Sequence, residues 1–420
     1  MGYQLKLNTT LNPFKKSIIL LTLTYGILIV LRGFLGIDFI PWHMSIAFAD
    51  LITITNTADC NCVFNNPYLN GSCDPWGRLY NYPRIWLSVF SFLKLGKSST
   101  IYIGFLYVIF FTFCASKLNL GRSNKSLLFI FVLLISPPVL LLLERGNNDV
   151  LVFSGIILTY YGIKANQNLP ENLRLYLPII IFFILGVLKL YPFILIITIL
   201  FEKLTLTKKT AIMLLFVMLS CLYIFYIKDD LKLILKNTPN PSDMAYGRMV
   251  KFWIFNYSLE LRHKISIILT SIVIMIALLT QFLFSKMQFA ASDTINNSET
   301  WLFLCGASIY IGTFLIGNNY IYRIVFLLLC LPNLFSLVRQ PKLRYFSIAI
   351  LIMIALRFYF TTFEKYLPFK QQFLLDLSLS WGILFSTTTL VLFYTFKSIK
   401  LIENKSNIPY LEASKTSAII

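Results

Sequence analysis

At 420 residues, with 57% hydrophobic and only 13% charged side chains, this chain has a mean hydropathy of +0.73. That excludes a soluble globule, because too few polar side chains exist to cover a surface of that size. The formal net charge of +19 lies mostly in connecting segments. No basic helix carries interleaved aromatics, so the charge points to membrane orientation and anionic lipid, not to nucleic acid.

Read in chain order, Lys6, Lys15 and Lys16 precede an apolar run from Ser17 that lacks a small-residue cleavage site, as in an uncleaved first span. A bilayer core of about 30 Å needs roughly 20 apolar helical residues. On that measure, spans are expected at 17–37, 101–116, 126–143, 150–164, 210–226, 265–284, 301–316, 320–338, 343–362 and 376–396. The segment 175–201 reads either as one long helix or as two short halves that turn back at Lys189-Leu190-Tyr191-Pro192.

Charge parity chooses between them. With a turn, Lys117, Arg122, Lys125, Lys164, Arg174, Lys203, Lys208, Lys209, Arg339, Lys342, Arg344, Lys397, Lys400 and Lys405 all fall on the cytoplasmic side. Only Arg145, Lys189, Arg323, Lys365 and Lys370 remain in short outer turns. The expectation is therefore an all-α polytopic protein with about twelve passes, including one broken helix pair, and both termini in the cytoplasm. Residues 1–404 form one membrane domain with outer segments at about 38–100 and 227–264, followed by a cytoplasmic tail at 405–420. Phe39 to Ile54, with Trp42, His43 and Met44 early and Asp50 late, reads as an amphipathic surface helix.

Cys114, Cys221, Cys305 and Cys330 sit in apolar runs as packing residues. Cys60, Cys62 and Cys73 share one outer loop, where one disulfide is expected, from Cys60 or Cys62 to Cys73. Three thiols without a fourth ligand nearby do not make a zinc site. No glycine-rich nucleotide loop, zincin helix or Ser-His-Asp set stands out, so neither metal nor cofactor is expected.

The groups with chemical potential lie at the outer boundary. Asp38, just after the first span, is a carboxylate placed to take a proton from a hydroxyl. In Glu144-Arg145-Gly146-Asn147-Asn148-Asp149, Asn148 and Asp149 would either cap the following helix or bind substrate, and Glu144 with Arg145 would form a local pair. Lys189, at the helix break beside Tyr191, and Arg323, a turn into the helix after Gly317-Asn318-Asn319-Tyr320, are cations suited to a lipid phosphate. The run Asp74 to Arg84 offers Tyr80 and Tyr82 to a sugar ring and Arg78 and Arg84 to a phosphate. Arg32 and Arg357 also lie in apolar runs, without a partner apparent from sequence.

Asp38-Phe39, Tyr80-Asn81-Tyr82-Pro83, the Glu144–Asp149 run and Lys189-Leu190-Tyr191-Pro192 resemble, in order and in shared outer face, the bacterial polyprenol-phosphate-mannose-dependent mannosyltransferases of the C-type integral membrane glycosyltransferases. The likeness is best over about 17–205. It implies a C-type fold in a bacterial inner membrane and an active site on the outer face. It also implies a polyprenyl-phosphate sugar donor, a lipid-linked or cell-surface glycan acceptor and inversion at the anomeric carbon. Asp38 matches the family's outer-loop base and Lys189 a phosphate-side position. The chain departs from the pattern in its Cys-bearing insertion and in Asp149, where the family places Asn. A transporter or flippase of lipid-linked sugars would also use intramembrane charges and broken helices, but no paired inverted repeat is present. A polysaccharide polymerase or ligase accounts less naturally for the early Asp38.

Overall fold

In lipid, a backbone with no water to bind closes its hydrogen bonds within its own segment, and helices result. A computed structural model of the chain describes residues 47–60, 66–118, 124–166, 168–202, 204–238, 245–248, 258–286, 298–316, 319–363 and 366–406, with Leu23 and Ile27 as isolated helical positions. Among these residues, eight helices are long and apolar enough to cross a membrane: Lys97–Lys117, Glu171–Lys189, Leu206–Tyr226, Glu260–Leu283, Glu299–Ile316, Ile321–Val338, Arg344–Phe363 and Leu374–Ser398. This is an integral membrane protein of mainly helical fold. The sheet among the described residues is a ribbon of two strands, β1 (Ala245–Tyr246) antiparallel to β2 (Asn319–Tyr320). The first expected span, 17–37, lies outside the described residues apart from its two isolated positions.

The chain packs as two compact units: Met1–Leu158 with Leu233–Asn237, and Thr159–Lys232 with Thr238–Ile420. In the first unit run α1 (Ala49–Asp59), α2 (Ile85–Phe92), α3 (Thr100–Lys117), α4 (Asn124–Leu134), α5 (Pro137–Glu144) and α6 (Asp149–Thr159). Two sequence expectations are corrected here. The described end of the supposed surface helix, α1, is buried along most of its length. Its threonines permit this, because Thr53, Thr55 and Thr57 donate back to the carbonyls of Ala49, Leu51 and Thr53, and Thr55 also lies 2.7 Å from the Thr100 hydroxyl. The expected span 126–143 is two helices. Pro137 lacks an N–H and its ring excludes the carbonyl of Leu133, which instead accepts from the Ser136 hydroxyl and amide. The span expected at 150–164 is α6 up to Thr159, followed by a π-helical turn over Tyr160–Lys164.

The second unit contains α7 (Glu171–Lys189), a 3-10 helix Tyr191–Phe201, α8 (Leu206–Tyr226), α9 (Lys228–Asn237, whose last turn belongs to the first unit), α10 (Leu259–Lys286) and α11 (Ser298–Ile316). A second 3-10 helix, Ile321–Cys330, then leads into α12 (Leu331–Val338), α13 (Arg344–Phe363) and α14 (Phe369–Ser406). The tail expected from 405 therefore begins inside a helix. At Leu190, with φ 67°, the chain reverses. The Phe183 and Phe193 rings stand 5.6 Å apart, and a Cβ on Gly186 would lie 2.2 Å from the Phe193 ring. Ten residues of straight helix would separate the two phenylalanines by about 15 Å. The arms are unequal, contrary to the expectation of two short halves: α7 has 19 residues and is a full span. The 3-10 return has 11 residues and, at about 2.0 Å per residue, covers roughly 22 Å, against about 29 Å for α7.

The reversal sets which ends meet. At one end of the second unit, Lys164 Nζ lies 2.5 Å from Glu202 Oε1, and Lys209 and Ser398 both donate to the Leu200 carbonyl. At the other end, Tyr191 packs on Phe326. Single cysteines at Lys208 and Lys342, in a background freed of reactive native thiols, should therefore react with an impermeant maleimide from the same side of the membrane. A cysteine at Tyr366 should react from the opposite side. Labelling of a cysteine at Glu171, just before this segment, from the side opposite to Lys208 would show that 175–201 crosses only once.

Candidate functional site

The Glu144–Asp149 run folds around a glycine that no other residue replaces easily. Gly146 has φ +59°, and a Cβ there would meet those of Phe48 and Leu51 at 3.1 and 3.2 Å. This tight turn lets the Phe48 and Asp50 amides bond the carbonyls of Glu144 and Arg145 at 2.6 and 2.9 Å. The Asp50 carboxylate thereby meets Arg145, which donates through Nε at 2.9 Å and also through Nη2, and Asn147, which donates through Nδ2 at 2.5 Å. Asp50, Arg145 and Asn147 are all buried. Arg145 thus pairs with a residue far away in sequence, where a local pair with Glu144 was the expectation. Three side-chain donors thus occupy the Asp50 carboxylate.

Asn147 also caps α6. Its Oδ1 accepts the Asp149 amide at 3.0 Å, so the capping role expected of Asn148 or Asp149 falls one residue earlier. Asp149 is the first residue of α6 and is fully buried. Asn148 Oδ1 accepts the Tyr107 hydroxyl at 2.9 Å, while its buried Nδ2 has no partner among the described residues.

The loop 66–84 is a closed structure of its own. Cys60 and Cys73 form a disulfide, one of the two pairings open to the loop, with Cα atoms 5.8 Å apart; Cys62 lies outside the described residues. Asp74 receives Arg78 Nε at 3.0 and 3.1 Å, Arg78 Nη2 at 2.9 Å, the Thr53 hydroxyl at 2.8 Å and the Trp76 amide at 2.9 Å. Burial raises the Asp74 carboxyl, but these donors outweigh it and hold the group below the ordinary carboxylate value. Arg78 also donates to the Ala49 carbonyl at 2.8 Å and lies 4.3 Å from the Trp76 ring. Its charge is thus matched within the loop. Tyr80 and Tyr82 are buried against Tyr68, and Asn237 Nδ2 ties the Tyr68 and Tyr80 carbonyls. Burial, with the Tyr68 phenol beside it, pushes the Tyr80 hydroxyl well up. These rings form the loop's core and present no open platform to a sugar. Arg84 is exposed, with its guanidinium 5.7 Å from the Tyr68 ring.

In the second unit the reversal at Leu190 places Lys189 and Tyr191 beside the chain that follows β2. Arg323 holds its guanidinium 5.2 Å over the Tyr191 ring and donates to Asn319 Oδ1. Asn319 Nδ2 donates to the Thr313 carbonyl at 2.5 Å. Tyr320 and Tyr322 stack in parallel, with centroids 5.4 Å apart. Lys189, Tyr191, Tyr320 and Arg323 thus belong to one end of this bundle.

Comparison of the chain with protein-family models, with curated proteins and with solved structures finds no match. The site therefore stands on its own residues. Asp38 lies outside the described residues. Among the described residues no group of three or more His, Cys, Asp or Glu side chains could hold a metal ion. Two pairings were missed from sequence. Arg357 Nη1 lies 3.0 Å from Asp376 Oδ1, a pairing that opposite charges in consecutive spans could have suggested. Asp50 with Arg145 carried no comparable signal.

Removing Asp50 should strand a buried guanidinium: Asp50→Ala should lower stability by about 3–5 kcal/mol, whereas Asp50→Leu with Arg145→Met should recover most of it. Thermal unfolding of the variants in one detergent measures both, and a mild Asp50→Ala would refute the pairing. The depressed Asp74 carboxyl gives a pH dependence of definite sign. Its stabilisation is complete above the unfolded value of about 3.9 and is lost as pH falls through the lower folded value. Hydrogen exchange at the Trp76 and Arg78 amides, corrected for intrinsic rates, should therefore accelerate in strong acid. Asp74→Asn should show fast exchange already at neutral pH.

Proposed function

We propose that this protein is a membrane glycosyltransferase that moves one hexose, mannose being the first candidate, from a polyprenyl phosphate to a lipid-linked or cell-surface glycan. The observation that carries this reading is the guanidinium of Arg323 over the ring of Tyr191, two residues after Lys189 at the end of its helix. In the reaction, an acceptor hydroxyl oxygen attacks the anomeric carbon as the bond to the phosphate oxygen breaks. The hydroxyl proton passes to a carboxylate, Asp38 by resemblance, and polyprenyl phosphate leaves with the bonding electron pair. The leaving group changes from a phosphodiester to a monoester and gains negative charge, which two cations at the membrane boundary would stabilise most in the transition state.

A sugar bound beside that phosphate would meet Tyr320, which belongs to the same unit as Lys189 and Arg323. The resemblance in motif order adds the donor class and the inverting outcome. It also adds the twelve-pass C-type topology, with the site on the outer face of a bacterial plasma membrane. Arg84 stays a phosphate-binding candidate on its sequence alone, and Arg78 acts through Asp74 as part of the loop.

Lys189→Ala and Arg323→Ala should each lower kcat/KM for a labelled polyprenyl-phosphate hexose by about 10–100-fold, the loss of one hydrogen bond to a charged group. Asp38→Asn keeps the side-chain shape but removes the proton acceptor, so turnover should fall by roughly 100-fold or more while donor binding persists. Normal donor dependence in both cation variants would place the phosphate elsewhere, and near-normal turnover in Asp38→Asn would remove it as the base.

A further inference from the structure

Arg357 is the largest fully buried side chain among the described residues, in the middle of the apolar helix α13, and its partner Asp376 lies on the next helix, α14. A buried ion pair of this kind is a poor source of stability, since apolar residues of the same volume often serve equally well. The pair does something more specific. Arg357 uses Nη1 for Asp376 and turns Nη2 to the Ala245 carbonyl at 3.3 Å, a division of labour that a planar guanidinium allows and an ammonium does not.

Ala245 begins β1, whose two residues pair with Tyr320 and Asn319 of β2. So short a ribbon does not hold itself together. It is fastened at both edges. The Tyr246 hydroxyl lies 2.7 Å from Thr313 Oγ1, and its ring stacks on Tyr310 at 5.6 Å, while Asn319 donates to the Thr313 carbonyl. The Ala245 carbonyl of β1 is reached by Arg357. From the ribbon the connection continues through Asn319 Oδ1 to Arg323, which stands over Tyr191.

We infer that Arg357 and Asp376 are positioning residues for the donor-phosphate site: together they fix the β1–β2 ribbon that orients Arg323, without touching the donor. This inference rests on the reading of Arg323 as a phosphate contact. All its links lie within the second unit.

The test uses the full-length protein in lipid nanodiscs, with Arg357→Leu/Asp376→Leu as the main variant and Arg357→Lys as the second. The double replacement leaves no buried charge behind, and Arg357→Lys keeps the charge beside Asp376 but has no second arm for Ala245. Ribbon geometry is read by oxidative cross-linking of Ala245→Cys to Tyr320→Cys, with the linked peptide measured by mass spectrometry. Donor use is read separately, as KM and kcat for polyprenyl-phosphate hexose in the variants without added cysteines. Both variants should melt with the parent yet cross-link less, and should lower kcat for the donor by about 10-fold, the loss of one oriented hydrogen bond that is strongest in the transition state, with little change in the donor KM. Unchanged cross-linking in a stably folded variant would overturn the inference. Reduced cross-linking with an unchanged kcat for the donor would uphold the pair's hold on the ribbon and overturn the assignment of the phosphate to Arg323. If the double variant does not fold, Arg357→Lys decides by the same two measurements.

Discussion

The second unit depends on a reversal of the chain at Leu190. A turn at the end of a membrane helix exposes backbone groups to a medium that cannot satisfy them, and the positive φ at Leu190 strains a branched residue as well. The surrounding packing answers both demands: the Leu190 amide bonds the Gly186 carbonyl, and the absence of a Cβ at Gly186 admits the Phe193 ring. Once the turn is made, the tighter 3-10 winding lets a short return arm reach the level of Glu202, where Lys164 meets it. The same turn delivers Lys189 and Tyr191 to the end where Arg323 stands.

Charge inside the apolar mass follows one rule in both units. Asp50 is matched by Arg145 and Asn147, Asp376 by Arg357, and Glu202 by Lys164, each through short, direct contacts. Such pairs add little net stability compared with apolar packing, but each enforces one register, because any other arrangement would leave a charge buried alone. The effect is to fix backbone segments that have few hydrogen bonds of their own. Asp50 helps seat the start of α1 on the Gly146 turn, and Arg357 reaches a strand two residues long. The Asp74–Arg78 pair does the same for the disulfide-bearing loop, where the guanidinium also grips the Ala49 carbonyl.

Three buried or half-buried cations share one structural role: Arg78, Arg145 and Arg357 have carboxylate partners and act as clamps between segments. Arg323 is held differently, by the amide oxygen of Asn319 and the face of Tyr191.

The sequence by itself determined the membrane class, most of the spans and the existence of a turn after Lys189, because hydropathy and charge parity are local quantities that a single chain displays directly. It also marked Lys189, Tyr191, Tyr320 and Arg323 as notable, since ions and proline-linked breaks are conspicuous in apolar runs. It misread three elements. Pro137 divided a run whose composition alone looked continuous, α1 buried its threonines by back-bonding, and α7 took a full span while its return arm wound as a 3-10 helix. What only the tertiary structure decided was partnership. Arg145 chose Asp50 over its neighbour Glu144, Tyr80 and Tyr82 turned into a loop core, and Arg357 found both Asp376 and the carbonyl of Ala245. Those choices depend on which distant segments come within hydrogen-bond reach, a distance set by packing that no local pattern of residues encodes.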